Sequence, residues 1–139
     1  MKNMFTQKII LPASDLALGL SVSKHLKFLE KSQFWSQEEI IDYQNYKLRL
    51  LIQHAYQNVP YYHKLFDKLK LKPTDIKTQE DLHKIPILTK DEIRKNIKGF
   101  LATNIPRSTL LLAGSSGSTG EPLKYYTTKS AYSFSIAAN

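Results

Sequence analysis

The chain contains no cysteine in its 139 residues. That excludes a disulfide framework, a thiolate metal site and a thiol nucleophile. It fits a reducing compartment, and a cytoplasmic location is expected. Long apolar runs are missing as well. The stretch that follows the basic start Met1-Lys2-Asn3-Met4-Phe5-Thr6-Gln7-Lys8 is broken by Pro12, Ser14 and Asp15, so neither a signal peptide nor a membrane span is expected. There are no internal repeats and no low-complexity tract. His25, His54, His63 and His83 show no metal-ligand spacing and have no Cys partner. Each reads as a surface or half-buried helix residue.

Acidic residues are the minority charge, and the formal net charge is +8. Such a balance attracts polyanions. The excess is nevertheless spread along the chain, and no block of five like charges occurs. The alternation Lys68-Leu69-Lys70-Leu71-Lys72 reads as a solvated helix end. Non-specific attraction to nucleic acid follows from this charge, but no specific nucleic-acid partner is expected.

The first hundred residues carry helix signals. Asp15 is placed to cap a helix with the stripe Leu18, Val22, Leu26 and Leu29. Ser36-Gln37-Glu38-Glu39 is a capping box that opens a longer helix, with Ile41, Leu48, Leu51, Ile52 and Ala55 expected inward. Pro60 ends or kinks that helix. A helix from about Tyr61 to Leu71 follows, with Leu65 and Leu69 on one face. Tyr56, Tyr61 and Tyr62 read as a packed aromatic corner around Pro60, and Trp35 as the anchor of a helix start. Thr78-Gln79-Glu80-Asp81 begins a short helical turn. Thr89-Lys90-Asp91-Glu92 is a second capping box, opening a helix with Ile93 and Ile97 that stops at Gly99.

Glycine is scarce, and three of the five glycines sit together at 114, 117 and 120. Strand character appears only around them. Leu110-Leu111-Leu112-Ala113 is apolar at successive positions, as suits a strand buried on both faces. Leu123 to Thr127 reads as a second strand, and the segment after it as a helix that is cut off rather than stopped. Between the strands lies Gly114-Ser115-Ser116-Gly117-Ser118-Thr119-Gly120-Glu121-Pro122. Such a loop can turn several backbone N–H groups and hydroxyls onto one anion, because no Cβ blocks close approach. A polyphosphate is the obvious ligand. The loop is not a Walker P-loop, since Glu121 rather than Lys follows Gly120, and its spacing fails the dinucleotide fingerprint.

The segment Ser115 to Lys124 resembles the phosphate-binding signature of adenylate-forming enzymes, [ST]-S-G-[ST]-T-G-x-P. The segments His54-Ala55-Tyr56-Gln57-Asn58-Val59-Pro60-Tyr61-Tyr62 and Leu82 to Arg94 resemble the phenylacetate–CoA ligase branch, which includes ligase-like proteins of capsular polysaccharide gene clusters. The resemblance runs from about Ser36 to Asn139. It implies an α/β fold, with residues 1–35 a helical extension and 36–139 the start of the large N-terminal domain, incomplete at the C-terminus.

The implied reaction activates a small carboxylic acid with ATP and passes the acyl group to coenzyme A. Mg²⁺ would bridge phosphate oxygens. Ser115, Ser116, Gly117, Ser118, Thr119, Gly120 and Lys124 are the implied nucleotide-binding residues. Ser116, Ser118 and Thr119 act as donors, and Gly117 and Gly120 allow the wrap. Lys124 is either a point charge at the polyphosphate or a solvent-facing cation. The remaining catalytic parts are expected downstream, so the chain alone is expected to be inactive. The alternative is a non-catalytic basic module that binds phosphate or RNA through the same loop; a relic without activity is a third reading. The acid and the oligomeric state, a homo-oligomer included, stay open.

Overall fold

The computed structural model describes residues 9–115 and 122–139. They are mostly helical and carry one small sheet, an arrangement compatible with part of an α/β protein. The chain divides into two compact units. The first takes residues 1–36, 107–112 and 126–139; the second takes 37–106 and 113–125.

In the first unit, α1 (Leu11–Leu18) and α2 (Val22–Ser32) replace the single helix expected after Asp15. Gly19 ends α1 in the left-handed region at φ 63°, where a residue with a Cβ would be strained. Asp15 does cap a helix, but from inside the preceding one. Its Oδ1 accepts from the Val22 N–H at 2.9 Å, and its Oδ2 from the Ser23 N–H at 2.8 Å and hydroxyl at 2.7 Å. These bonds satisfy donors that the first turn of α2 would otherwise leave unpaired. The broken helix turns Leu18 outward, against expectation, while Val22 stays buried.

The C-terminal helix α6 (Lys129–Ala138) packs on α2. Its start is capped by Thr128, whose side chain accepts from the Ala131 N–H. Fully buried Ser133 accepts from the Ser21 N–H at 3.1 Å and donates to the Lys129 carbonyl at 2.7 Å. The Lys129 ammonium reaches the Leu18 carbonyl at 3.1 Å, placing a cation at the C-terminal end of α1. His25 meets the edge of Phe134, and Trp35 packs edge-on against Phe28.

The second unit is built on α3 (Gln37–Asn58) and α4 (Pro60–Leu69), joined through extended Val59. Its core is Ile52, Phe66 and Ile76, with Leu48, Tyr56, Leu71 and Ile85 packed around them. Ile52 and Ala55 face inward as the sequence pattern requires, whereas Ile41 and Leu51 are exposed. Ile41 lies near the start of the 22-residue helix, whereas Leu51 lies between the packed Leu48 and the buried Ala55. On α4 the buried residue is Phe66, not the expected Leu65 and Leu69 pair; Leu69 is exposed. The Pro60 corner sets the rotation of α4, and that rotation sends Phe66 inward.

The capping boxes predict element starts well. α5 (Lys90–Lys95) begins with a reciprocal pair: Thr89 Oγ1 accepts from the Glu92 N–H at 3.2 Å, and Glu92 Oε2 accepts from the Thr89 N–H at 3.0 Å. The helix ends at Lys95, earlier than Gly99, and a 3-10 turn over Ile97–Phe100 follows. Another 3-10 turn, Gln79–Lys84, starts at Thr78 as expected. Strand β1 (Leu110–Gly114) pairs antiparallel with β2 (Lys124–Thr128). The expectation that β1 is buried on both faces fails, since Leu112 is 60% exposed. The described sheet has two strands, and burial on both faces would need a layer packed on each side of it.

Candidate functional site

In sequence, the glycine-rich segment lies between the two paired strands β1 and β2. Gly114 closes β1, and a Cβ there would lie 3.8 Å from the Leu123 carbonyl, an ordinary contact. Where the strands meet that segment, Ser115 and Leu123 are bonded to each other. The Ser115 N–H donates to the Leu123 carbonyl at 3.0 Å, and the Leu123 N–H donates to Ser115 Oγ at 3.1 Å. Ser115 and Lys124 are both exposed. Ser116, Gly117, Ser118, Thr119 and Gly120, the other predicted binding residues, lie outside the described residues.

The described residues on either side of that segment thus carry a serine hydroxyl and the cationic side chain of Lys124, with no carboxylate among residues 113–115 and 122–125. That donor set suits an anion. A hydroxyl that accepts from an amide still has its own proton to donate. Lys124 stands at the first position of β2, two residues past Pro122. No group of three or more His, Cys, Asp or Glu suited to a metal ion occurs among the described residues.

Two grooves of the second unit were not visible in the sequence. One, of about 380 Å³, lies beside the aromatic corner and is lined by Tyr61, Lys64, Lys68, Glu92 and Asn96 among others. There burial, followed by the neighbouring Glu92 carboxylate, raises the Tyr61 hydroxyl above its ordinary pKa. Glu92 is held below the usual carboxylate range, first by the Thr89 backbone and then by its side chain. The second groove, also about 380 Å³, is apolar and lies between α3, α4 and the segment reaching Pro86. The tyrosines themselves behave as structural residues: Tyr61 lies 4.1 Å centroid to centroid from Phe100, and Tyr56 stacks on His63 at 4.6 Å. Grooves of this kind form between segments remote in sequence, so no local motif announces them.

No protein-family profile matches the chain. Individual relatives do. A phenylacetate–coenzyme A ligase of Aromatoleum evansii is 38% identical over 96 residues, which are 68% of this chain and 21% of that protein. The phenylacetate–coenzyme A ligase of Escherichia coli K12 is 35% identical over 88 residues, 63% of this chain and 20% of that protein. Protein CapK of Staphylococcus aureus is 28% identical over 89 residues, 64% of this chain and 19% of that protein. Over about two thirds of its length, then, the chain is phenylacetate–CoA ligase-like. It spans about a fifth of the length of the curated relatives it matches.

Proposed function

We propose that this chain is the nucleotide-phosphate-binding part of an ATP-dependent carboxylate-activating ligase. The observation that carries the proposal is a Gly/Ser/Thr-rich sequence between two paired strands, in a chain similar to several phenylacetate–CoA ligases. In such a reaction a carboxylate oxygen attacks the α-phosphorus of ATP, the bond to pyrophosphate breaks, and coenzyme A then takes the acyl group as a thioester. The chain's share is electrostatic. Backbone N–H groups and the hydroxyls of Ser116, Ser118 and Thr119 would donate to the oxygens on which negative charge gathers as pyrophosphate departs. Gly117 and Gly120 would keep Cβ atoms out of that contact. Mg²⁺, bound to the phosphate oxygens, would neutralise part of their charge.

The chain by itself is expected to bind without turning over, because nothing described in it supplies the other groups the reaction needs. The test uses purified 1–139 and a Gly120→Asp variant. Binding of MgATP and pyrophosphate, seen by calorimetry and lost in Gly120→Asp, is the expected result. Absence of that binding overturns the proposal. RNA binding that is steeply salt-dependent and indifferent to Gly120→Asp would instead support a basic binding module. ATP–pyrophosphate exchange above the Gly120→Asp control would overturn the inactive-alone part.

A further inference from the structure

We infer that the groove beside the aromatic corner is a binding site for a small organic phosphate, held by Lys64, Lys68 and the side-chain amide of Asn96. The groove lies within the second unit, and its volume of about 380 Å³ falls in the range of small-molecule sites. Lys64 and Lys68 stand four residues apart on α4, so they share one helix face, and both line the groove. Neither forms an ion pair with the described residues. The carboxylate that lines the groove, Glu92, is already engaged. Its Oε2 accepts from the Thr89 N–H at 3.0 Å and from the Thr89 hydroxyl at 2.9 Å. Two cations therefore stand against one carboxylate, and the excess favours an anion.

Asn96 supplies the directional part. It follows α5, and its side chain lies across Gly99: a Cβ at Gly99 would come 2.5 Å from Asn96 Nδ2 and 2.6 Å from its Oδ1. The missing side chain at 99 is what leaves room for the amide in this position. That amide makes no hydrogen bond to the described residues, so its N–H groups can donate to a phosphate oxygen. Ammonium groups bind phosphate as point charges and fix no orientation, which falls to the amide and the walls. Pro60, Leu65 and Tyr61 form those walls, and they suit an organic group better than a bare ion. A phosphomonoester carries close to two charges at neutral pH and so matches both lysines, where a carboxylate carries one. The glycine-rich segment takes no part in this site, which stands apart from the proposed function.

The test titrates phenyl phosphate into purified 1–139 and into its Gly120→Asp variant, following backbone and side-chain amide resonances by NMR. Saturable shifts centred on Tyr61, Lys68 and Asn96 are expected in both proteins. Inorganic phosphate should bind about tenfold more weakly, and benzyl alcohol should have no effect. Lys68→Gln and Gly99→Ala should each weaken phenyl phosphate binding about tenfold, the second by displacing the Asn96 amide while the far-UV circular dichroism stays that of the parent. Asn96→Ala should reproduce that loss, and it decides the matter if Gly99→Ala does not fold. Affinity lost in Lys68→Gln but kept in Asn96→Ala would be charge attraction without directional recognition, which overturns the inference. Inorganic phosphate binding as tightly as phenyl phosphate overturns it too. So do shifts that miss the groove or vanish in Gly120→Asp.

Discussion

The two units keep different things away from water. The second buries Ile52, Ala55, Val59, Phe66 and Ile76, an ordinary apolar core. Among the described residues the first buries one apolar side chain, Val22, beside Asp15 and Ser133. Apolar burial is non-directional and tolerates small shifts. Buried polar groups stabilise only when their partners are in place, and an orphaned one costs more than a satisfied one contributes. Substitutions in the second unit should therefore cost in proportion to the apolar volume removed, and those in the first should act through a few named polar atoms.

That comparison can be broken most forcefully at Phe66, which is fully buried. Phe66→Ala should cost about 3–5 kcal/mol through lost transfer energy and the cavity left behind. A drop in the urea midpoint followed by far-UV circular dichroism checks it. A smaller effect is expected at Asp15. Asp15→Ala removes a cap and strands two N–H donors, at a cost of about 1–2 kcal/mol. The lone tryptophan, Trp35, lies in the first unit and supplies a separate fluorescence transition to read it.

The same carboxylate sets a pH dependence. Burial pushes the Asp15 pKa up, but bonds from the Ser23 hydroxyl, the Ser23 and Val22 amides, and the nearby His25 outweigh it, leaving the carboxyl below its ordinary value. A depressed folded pKa gives stability that is present above the unfolded value, about 3.9, and lost as pH falls through the folded one. The Trp35 transition should move to lower urea below about pH 4, and Asp15→Asn should flatten that slope.

Next comes Ser133→Ala, which deprives the Ser21 N–H of its acceptor at a cost of about 1 kcal/mol, again read by Trp35. The smallest effect marks the contrast from the other side. Ile87 is 92% exposed, and Ile87→Ser should leave both transitions within about 0.5 kcal/mol of the parent.

The sequence made visible what repeats locally. Capping boxes at Ser36, Thr78 and Thr89 mark where elements begin, because cap and partner lie three residues apart. The strands flanking the glycine-rich segment were placed to within a residue for the same reason. Asp15 was legible as a cap but not as one that acts across the break at Gly19, since nothing before Gly19 signals that the helix stops there. Phe66 was hidden because the sequence gives the periodicity of α4 but not its rotation about its axis. The Ser115 hydroxyl in the ladder is a choice between two acceptors on one residue. Sequence pattern does not distinguish them.

The division of the chain also bears on the order in which it can acquire structure. The helical part of the second unit is one continuous stretch, 37–106. It can assemble as soon as it leaves the ribosome. The first unit brings residues near 20 together with residues near 130: the Ser21 to Ser133 bond spans 112 positions. Closing so long a separation is slow and must wait for α6 to be synthesised. α1 and α2 are therefore fixed only once α6 has been made, and until then they form an unpaired couple that a chaperone could meet.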